Sequence, residues 1–387
     1  MPKSQIGKSK IRVLYVVSTL ARTGPVQQLC NLVKYLDLSL FEPVILTLSP
    51  EPKDSLWDAF CDLGVSCYTF GLSRIAGFFL AASRLKRFLR RHPVDIVHSH
   101  GLRADMLSAV SFSDVYRIST RRETFYKQRI IQHGPVRGRI SEFIHSAALQ
   151  RLDRIVCCSE SVRQTTPAKL MSKTTTIRNG VDDEKLSPVS FEEKLSIRKR
   201  LGLPLDVHIS ISVGHLSDGK DPITIIRAFL TSPASDCGLL VFLGDGPLRM
   251  KCQQLANSSD KVVLAGFVSN VVDYLQAADL FISASLSEGL PGAAIEACAC
   301  GLPLVLSDIG PHHEIMELSP DAGLLFPLND VRSLADCLSK VINTDYASRS
   351  EAALSLVRNH LNGRKMSADY QALYIRCYGE HTNETCE

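Results

Sequence analysis

Short apolar, β-branched runs recur along the chain, separated by stretches whose apolar positions repeat at helical spacing. IRVLYVVST (11–19), FEPVILTL (41–48), DIVHSH (95–100), DRIVCCS (153–159) and TTTIRN (174–179) read as strands. HISISVG (208–214), LLVFLG (239–244), VVLAG (262–266), LFISAS (280–285) and LPLVLSD (302–308) form a second series. Between strands, VQQLCNLVKYL and PITIIRAFL carry the period of amphipathic helices. Strands that are apolar throughout and alternate with helices predict parallel sheets covered on both faces.

The alternation is interrupted at VDDEKLSPVSFEEKLSIRKRLGLPLD (181–206), a charged stretch punctuated by proline, and a fresh strand follows at His208. With 387 residues the chain exceeds one ordinary core, so this stretch is expected to divide two Rossmann-like halves. Such halves bind ligands beyond the carboxyl ends of their strands, which puts the site in the cleft between them. No run reaches the roughly eighteen apolar residues of a membrane span. The stretch after the polar, basic MPKSQIGKSK is short, interrupted by Arg12, and lacks a cleavage-like site, so a cytoplasmic protein is expected.

Composition changes this picture little. The 44 Lys and Arg against 40 Asp and Glu leave a net charge of +4, which does not suggest a polyanionic partner. The 12 cysteines form no CxxC pair and no Cys/His cluster with metal-ligand spacing. Most sit in apolar runs, as small buried hydrophobes of a reducing compartment do, and neither a metal nor a cofactor is expected.

The chemistry is most legible in SEGLPGAAIEACACGLP (287–303). It follows a strand, so Glu288 falls on the ligand-binding edge; Pro291 then suits a first helical turn, and Gly301 with Pro303 stop the helix. Amides of Gly289, Leu290 and Gly292 at that helix start favour phosphate oxygens. Small residues at 292, 293, 294, 297 and 299 allow a ligand and the adjacent strand to approach the backbone. Glu288 and Glu296, at different depths of one cleft, suit polyhydroxylated groups on either side of a diphosphate, since an ionised carboxylate accepts from two hydroxyls. Either carboxylate alone would as readily be a solvated charge.

This stretch resembles the E-x7-E signature of retaining GT-B glycosyltransferases of the family-four (glycosyl transferases group 1) type. SVGHLSDGKDPITIIRAF (212–229) resembles the phosphate-binding segment of that family, and LGDGPLRMKCQQLA (243–256) its Gly-Asp-Gly-Pro turn. LAGFVSNVVDYLQAADLFISASLSEGLP (264–291) is similar to the run that holds nucleobase and sugar. The match is strong from about 175 to 310 and looser elsewhere. It implies an α/β GT-B fold with two Rossmann-like domains: an acceptor-side domain over 1–185 and a donor domain over 186–362. A terminal segment, 363–387, would cross back to the first domain with Met366, Tyr370, Leu373 and Tyr374 at helical spacing.

The same resemblance implies roles in the donor domain. Lys220 would balance the diphosphate, with Gly214 and Gly246 permitting close approach; Phe267 and Val268 would border the base. Glu296 would take the ribose hydroxyls, and Glu288 would face the transferred sugar, assisted by the amides of Gly289, Leu290 and Gly292. His215 stands where the family commonly has Arg, which leaves open whether phosphates raise its pKa or Lys220 and the helix dipole suffice.

In the N-terminal half, Gly24 keeps one glycine of the family's Gly-Gly loop and Pro25 replaces the other, removing an amide donor. His98 and His100 share a strand face, and the resemblance places His100 at the cleft near the donor sugar; Arg103 and Asp105 are candidate helpers, with a helix-start role for Asp105 as an equal alternative. Arg121 and Arg122, after Ser119 and Thr120, are weak acceptor candidates. From Arg117 to Arg154 nine Lys and Arg face three acids, and ASRLKRFLRRH (82–92) puts Leu85, Phe88 and Leu89 on one face among cations. Both suggest contact with anionic lipid or a pyrophosphate-bearing acceptor, although each run alone reads as a solvated face. No aromatic-interleaved basic motif accompanies them, which argues against nucleic acid.

The function these expectations describe is metal-independent, retaining transfer of a hexosyl group from a nucleotide diphosphate sugar, UDP-linked by preference. The acceptor would be a sugar or lipid-linked glycan, as in bacterial polysaccharide or glycolipid synthesis, at the inner face of the cytoplasmic membrane. The alternatives are a nucleotide-sugar epimerase or hydrolase on the same fold and a non-catalytic nucleotide-sugar-binding protein; product analysis with and without acceptor separates them.

Overall fold

The computed structural model describes residues 10–111, 115–125, 129–131, 134–257, 259–342 and 345–384. The first sheet is built from β1 (Ile11–Val17), β2 (Phe41–Thr47), β3 (Ser66–Thr69), β4 (Ile96–His100), β5 (Tyr116–Arg121), β6 (Arg154–Cys157) and β7 (Thr174–Thr176). Its order is β3-β2-β1-β4-β5-β6-β7, and the paired strands run parallel. The second contains β8 (His208–Val213), β9 (Gly238–Leu243), β10 (Val262–Gly266), β11 (Leu280–Ser283), β12 (Leu304–Ser307) and β13 (Gly323–Phe326). Its order, β10-β9-β8-β11-β12-β13, is also parallel throughout.

The central strands are apolar because both faces are covered: Val13 to Val17 and Gly238 to Leu243 are buried without interruption. The ten expected strands are present. β3, β5 and β13 are additional to them; β3 and β13 are four-residue edge strands with too few positions to show a period. β5 carries the polar sequence YRISTR and holds Ser119, Thr120 and Arg121 inside the strand rather than after it.

The helices that matter for the site are α1 (Gly24–Lys34), α2 (Arg74–Arg91), α3 (Leu102–Ser111), α4 (Pro135–Leu149), α5 (Glu160–Gln164), α6 (Pro222–Thr231), α7 (Gly292–Ala299), α8 (Gly310–Leu318) and α9 (Gly363–Glu384). The last of these packs back on the first sheet, as expected. Met366, Tyr370, Leu373 and Tyr374 are buried in the cluster that contains Tyr15, Leu29 and Phe41. Three polar contacts fix it there: Tyr374 Oη to His98 Nδ1 at 2.7 Å, Tyr370 Oη to Thr120 Oγ1 at 2.9 Å, and Ser367 Oγ donating to the Leu32 carbonyl at 2.8 Å.

The stripe Leu85, Phe88, Leu89 on α2 does not face outward. Leu85 is fully buried and the other two pack against the same core, beneath the sheet surface formed by Leu14, Val44 and Val97. Periodicity identified the stripe, but the sheet rather than lipid covers it.

Candidate active site

The carboxyl ends of the two sheets face each other and touch. Ser159 Oγ, after β6, donates to the Gly289 carbonyl at 2.7 Å, and Asn179 Nδ2, after β7, donates to that of Leu290 at 3.0 Å. Gly289 must be glycine: a Cβ there would overlap the Arg122 carbonyl oxygen and lie 2.9 Å from Cys158 Sγ. The loop beyond β11 is thus pressed against the backbone at the ends of β5 and β6.

Within the second domain, two loops meet at the cleft floor. The Leu286 amide donates to the Gly219 carbonyl at 2.9 Å, which ties the turn carrying Lys220 to the loop carrying Glu288. Asp221 then caps α6 through the Thr224 amide in a left-handed conformation. Lys220 Nζ and a Glu288 carboxylate oxygen form an ion pair. Burial would raise the pKa of Glu288, but the Lys220 ammonium and the Ser285 hydroxyl overcome it and hold the carboxyl below its ordinary value. Glu288 is therefore ionised at neutral pH.

Helix α7 begins right after this loop, with Pro291 as its N-cap residue instead of the first helical residue expected from the sequence. Among the described residues, the amides of Gly289, Leu290 and Gly292 have no hydrogen-bond acceptor. They add to the positive end of the helix dipole beside the Lys220 ammonium. The Glu296 carboxyl group, about one turn on, has no hydrogen-bond partner among the described residues either. Burial pushes its pKa up to about 7, with Lys185 opposing the shift.

The other predicted donor-side residues lie on the same edge. Gly214 follows β8 with φ +154°, its Cα side against the Lys220 stem. A Cβ on Gly246 would overlap the Leu216 carbonyl oxygen. The sequence reading passed over Gly244, where a Cβ would overlap the Gly214 carbonyl; this packs the loops after β8 and β9 together. Phe267 is 64% exposed just beyond β10, with Val268 half-buried beside it. His215 is exposed, and its carbonyl accepts from Ser217 Oγ at 3.4 Å.

From the first domain, His100 ends β4 with both ring nitrogens buried and unpartnered. Burial, then His98 and Arg122, push its pKa well below the ordinary histidine value, so the ring is neutral. Arg122 donates from Nη1 to Asn179 Oδ1 at 2.8 Å, while Nε and Nη2 are buried without acceptors. Unpaired buried polar groups are costly and therefore rare, and two such side chains are near enough here for the Arg122 charge to act on His100, with the Arg122 carbonyl against Gly289. Gly24 is exposed in the first turn of α1, where a Cβ would meet nothing. Four residues on, Gln28 Oε1 accepts from the Gly180 amide at 3.1 Å, and its Nε2 lies 3.9 Å from where a Gly292 Cβ would be.

Two predicted neighbours of the site turn inward. Arg121 is 2% exposed; it pairs with Glu142 at 2.8 Å, meets His145 Nδ1 at 2.6 Å, and donates to the Glu123 and Thr124 carbonyls. It has no surface to offer an acceptor. Asp105 joins the same network, accepting from Ser99 Oγ at 2.5 Å and contacting His145 Nε2 at 2.6 Å. His98 is likewise engaged on both nitrogens, by Tyr374 and by Thr120.

Two residues escaped the sequence reading. His312, in the first turn of α8, is fully buried; its Nδ1 donates to the Ser307 carbonyl at 2.7 Å and Nε2 is unpartnered. Burial lowers its pKa to about 4 despite the nearby Glu288 carboxylate. Glu314, two residues later, accepts from the amides of Glu160 and Ser161 at 3.0 and 2.9 Å and from Arg178 Nε at 2.7 Å. The run HHE in GPHHEIMEL is the available signal, a polar cluster at a helix start beyond a parallel strand.

Comparison with known proteins agrees with this geometry. The family model Glycosyltransferase Family 4 matches residues 23–185, and Glycosyl transferases group 1 matches 193–355. TuaC of Bacillus subtilis is 40% identical over 121 residues, an alignment that spans only 31% of this chain and 29% of that protein. The UDP-Gal:alpha-D-GlcNAc-diphosphoundecaprenol alpha-1,3-galactosyltransferase of Escherichia coli is 25% identical, covering 66% of this chain and 68% of its own. The O-antigen biosynthesis glycosyltransferase WclY of Escherichia coli is 24% identical over 96% of this chain and 99% of its own. Among solved structures, sucrose-phosphate synthase from Thermosynechococcus elongatus superimposes with TM-score 0.80 at 18% identity, covering 96% of this chain and all of that one. HepE of Anabaena in complex with UDP and glucose gives 0.79 at 14% identity, over 94% and 99% of the chains. The fold is GT-B.

Proposed function

The chain belongs to the group 1, family-four glycosyltransferases, and from that premise we propose that it moves a hexosyl group, with retention, from a nucleotide diphosphate sugar to a glycan or lipid-linked glycan acceptor. The observation that carries this reading is the set of unsatisfied groups on the two facing strand ends: three amides before and in α7, next to the Lys220–Glu288 pair, and, from the first domain, neutral His100 and two buried donor atoms of Arg122, whose carbonyl abuts Gly289. Such a constellation suits a ligand with a diphosphate at one end and hydroxyls at the other.

In this reading Glu296 accepts from the ribose hydroxyls, Phe267 and Val268 border a uracil base, and Lys220 balances the diphosphate with Gly214 and Gly246 close by. Helix α7 and Lys220 supply the positive charge that stabilises the departing nucleoside diphosphate, in place of a divalent ion. The bond from the anomeric carbon to the β-phosphate oxygen breaks. The acceptor oxygen bonds to the same face of that carbon, and its proton goes to the departing phosphate oxygen. Glu288 holds sugar hydroxyls and is not assigned as a covalent nucleophile; a carboxylate already paired with Lys220 is a weak one. His100 and Arg122 meet the sugar from the opposite wall, and the acceptor enters from the first domain, at the cytoplasmic face of a membrane.

Thermal melting with UDP, GDP, ADP and their hexose conjugates tests the donor assignment, with Glu296→Ala beside the wild type. A shift selective for uridine conjugates and absent in the variant is expected. No shift with any nucleotide would remove the donor pocket, and an inverted anomeric configuration in the product, read by proton NMR, would remove retention.

A further inference from the structure

Helices α2, α3 and α4 lie side by side on the first domain. The outward stripe of α2 is apolar in its first half, where Ile75 is 77% and Phe79 72% exposed, with Leu80 beside them. It turns basic in its second half, at Lys86, Arg87, Arg90 and Arg91. On α4 the residues Val136, Ile140, Phe143 and Ile144 are exposed at the spacing of a single helical face, Phe143 at 66%, flanked by exposed Arg137 and Arg139. Val110 of α3 is exposed between the two. A soluble surface rarely leaves two neighbouring helices with outward aromatic and aliphatic stripes unless something covers them.

The charges identify what does. Helix α2 contains no acid at all. The acids of the other two, Asp105 and Glu142, are buried and bonded to Ser99, His145 and Arg121. Every exposed charge on the described residues of the three helices is therefore positive. A second copy of the chain docking isologously would set these cations against one another, which is unfavourable. An apolar ridge bordered only by cations is instead complementary to an anionic bilayer, where aromatic and aliphatic side chains enter the acyl boundary and Lys and Arg stay with the headgroups.

We propose that α2 and α4 seat this protein on an anionic lipid bilayer through Ile75, Phe79, Ile140 and Phe143, with Lys86, Arg87, Arg137 and Arg139 on the headgroups. This face differs from the Leu85 stripe, which is core. It also gives the acceptor an approach: a cavity of about 530 Å³, lined by Ser18, Thr19, Ser49, Ser73 and Arg103, opens where α2 begins, at the carboxyl edge of β1 and β2. In that last respect the inference rests on the transferase reading; the docking itself does not.

Flotation on phosphatidylcholine vesicles with and without about a third phosphatidylglycerol tests it without turnover. The wild type is expected to float only with the anionic vesicles and to release at high salt. Phe79→Ser with Phe143→Ser, and separately Arg87→Gln with Arg137→Gln, should each lower the partition coefficient about tenfold or more, while melting temperature and its nucleotide shift stay unchanged. All four side chains are exposed, so these variants keep the fold. Equal partition of wild type and variants overturns the proposal, as does equal binding to neutral vesicles. Self-association in velocity sedimentation that the double serine variant abolishes would assign the face to a second copy instead. A lost nucleotide shift with intact flotation would count against the transferase reading alone.

Discussion

Arg178 of the first domain donates its Nε to Oε1 of Glu314 in the second at 2.7 Å, and the Glu314 carboxylate also closes the start of α5. Hydrogen bonds to a charged acceptor contribute about 1.5–3 kcal/mol each, and those at Glu314 exist only while the domains are together. Opening the cleft must break them. Glu314→Ala should therefore enlarge the radius of gyration in small-angle scattering and raise the donor KM several-fold. An unchanged scattering profile would mean that the remaining contacts, at Gly289, Leu290 and between Thr124 and Ser287, suffice to hold the domains closed.

Lys220 balances the one carboxylate at the cleft floor whose pKa is held down against its own burial. Lys220→Met removes the cation and leaves Glu288 buried; because the Lys220 side chain is itself 39% exposed, solvent screens the pair and the loss of stability is expected to be about 1 kcal/mol, below that of a fully buried pair. Turnover at saturating acceptor is expected to fall at least a hundredfold, with Lys220→Arg recovering part of it. Because Glu288 is stabilised in its ionised form, the pair's contribution to stability is complete above the unfolded carboxyl value and lost as pH falls through the lower folded one. A Lys220→Met enzyme with near wild-type turnover would show that the helix dipole suffices.

How much of this was readable beforehand depended on sequence distance. The loop and helix from Ser287 to Pro303 are contiguous, so their turn chemistry, small residues and carboxylate spacing could be read together. Arg121 could not: a basic residue near a strand end looks exposed until Glu142 and His145, on a later helix, are seen to bury it. Leu85, Phe88 and Leu89 show a different limit, since a period locates a stripe without giving its direction. Glu314 and His312 act through partners in another domain or on another strand, and no local pattern encodes those partners.

Glu296 gives a pH signature. Burial raises its folded pKa to about 7, above the ordinary glutamic value of about 4.3, so the folded protein binds the extra proton between these values. Stability of the nucleotide-free protein should fall as pH rises through that window, and Glu296→Gln should remove this component. Ribose hydroxyls donate to the ionised carboxylate, so nucleotide binding favours proton release. UDP affinity by calorimetry should therefore rise toward pH 7.5 more steeply in the wild type than in Glu296→Gln. Parallel profiles would detach Glu296 from the ribose.

Arg121 and Glu142 supply the sharpest separation of a structural role from a functional one. Their side chains are 1% and 0% exposed at 2.8 Å, and Asp105 and His145 complete the network. Arg121→Met leaves Glu142 without its nearest cation and is expected to cost about 3–5 kcal/mol of stability, seen as a lower urea midpoint. Arg121→Met combined with Glu142→Leu should recover most of that loss, because replacing both charges by apolar groups removes the unpaired one. The double variant should bind UDP and use acceptor as the wild type does, since neither side chain reaches the cleft. A restored midpoint with a raised acceptor KM would return Arg121 to the acceptor site that its position in the sequence first suggested.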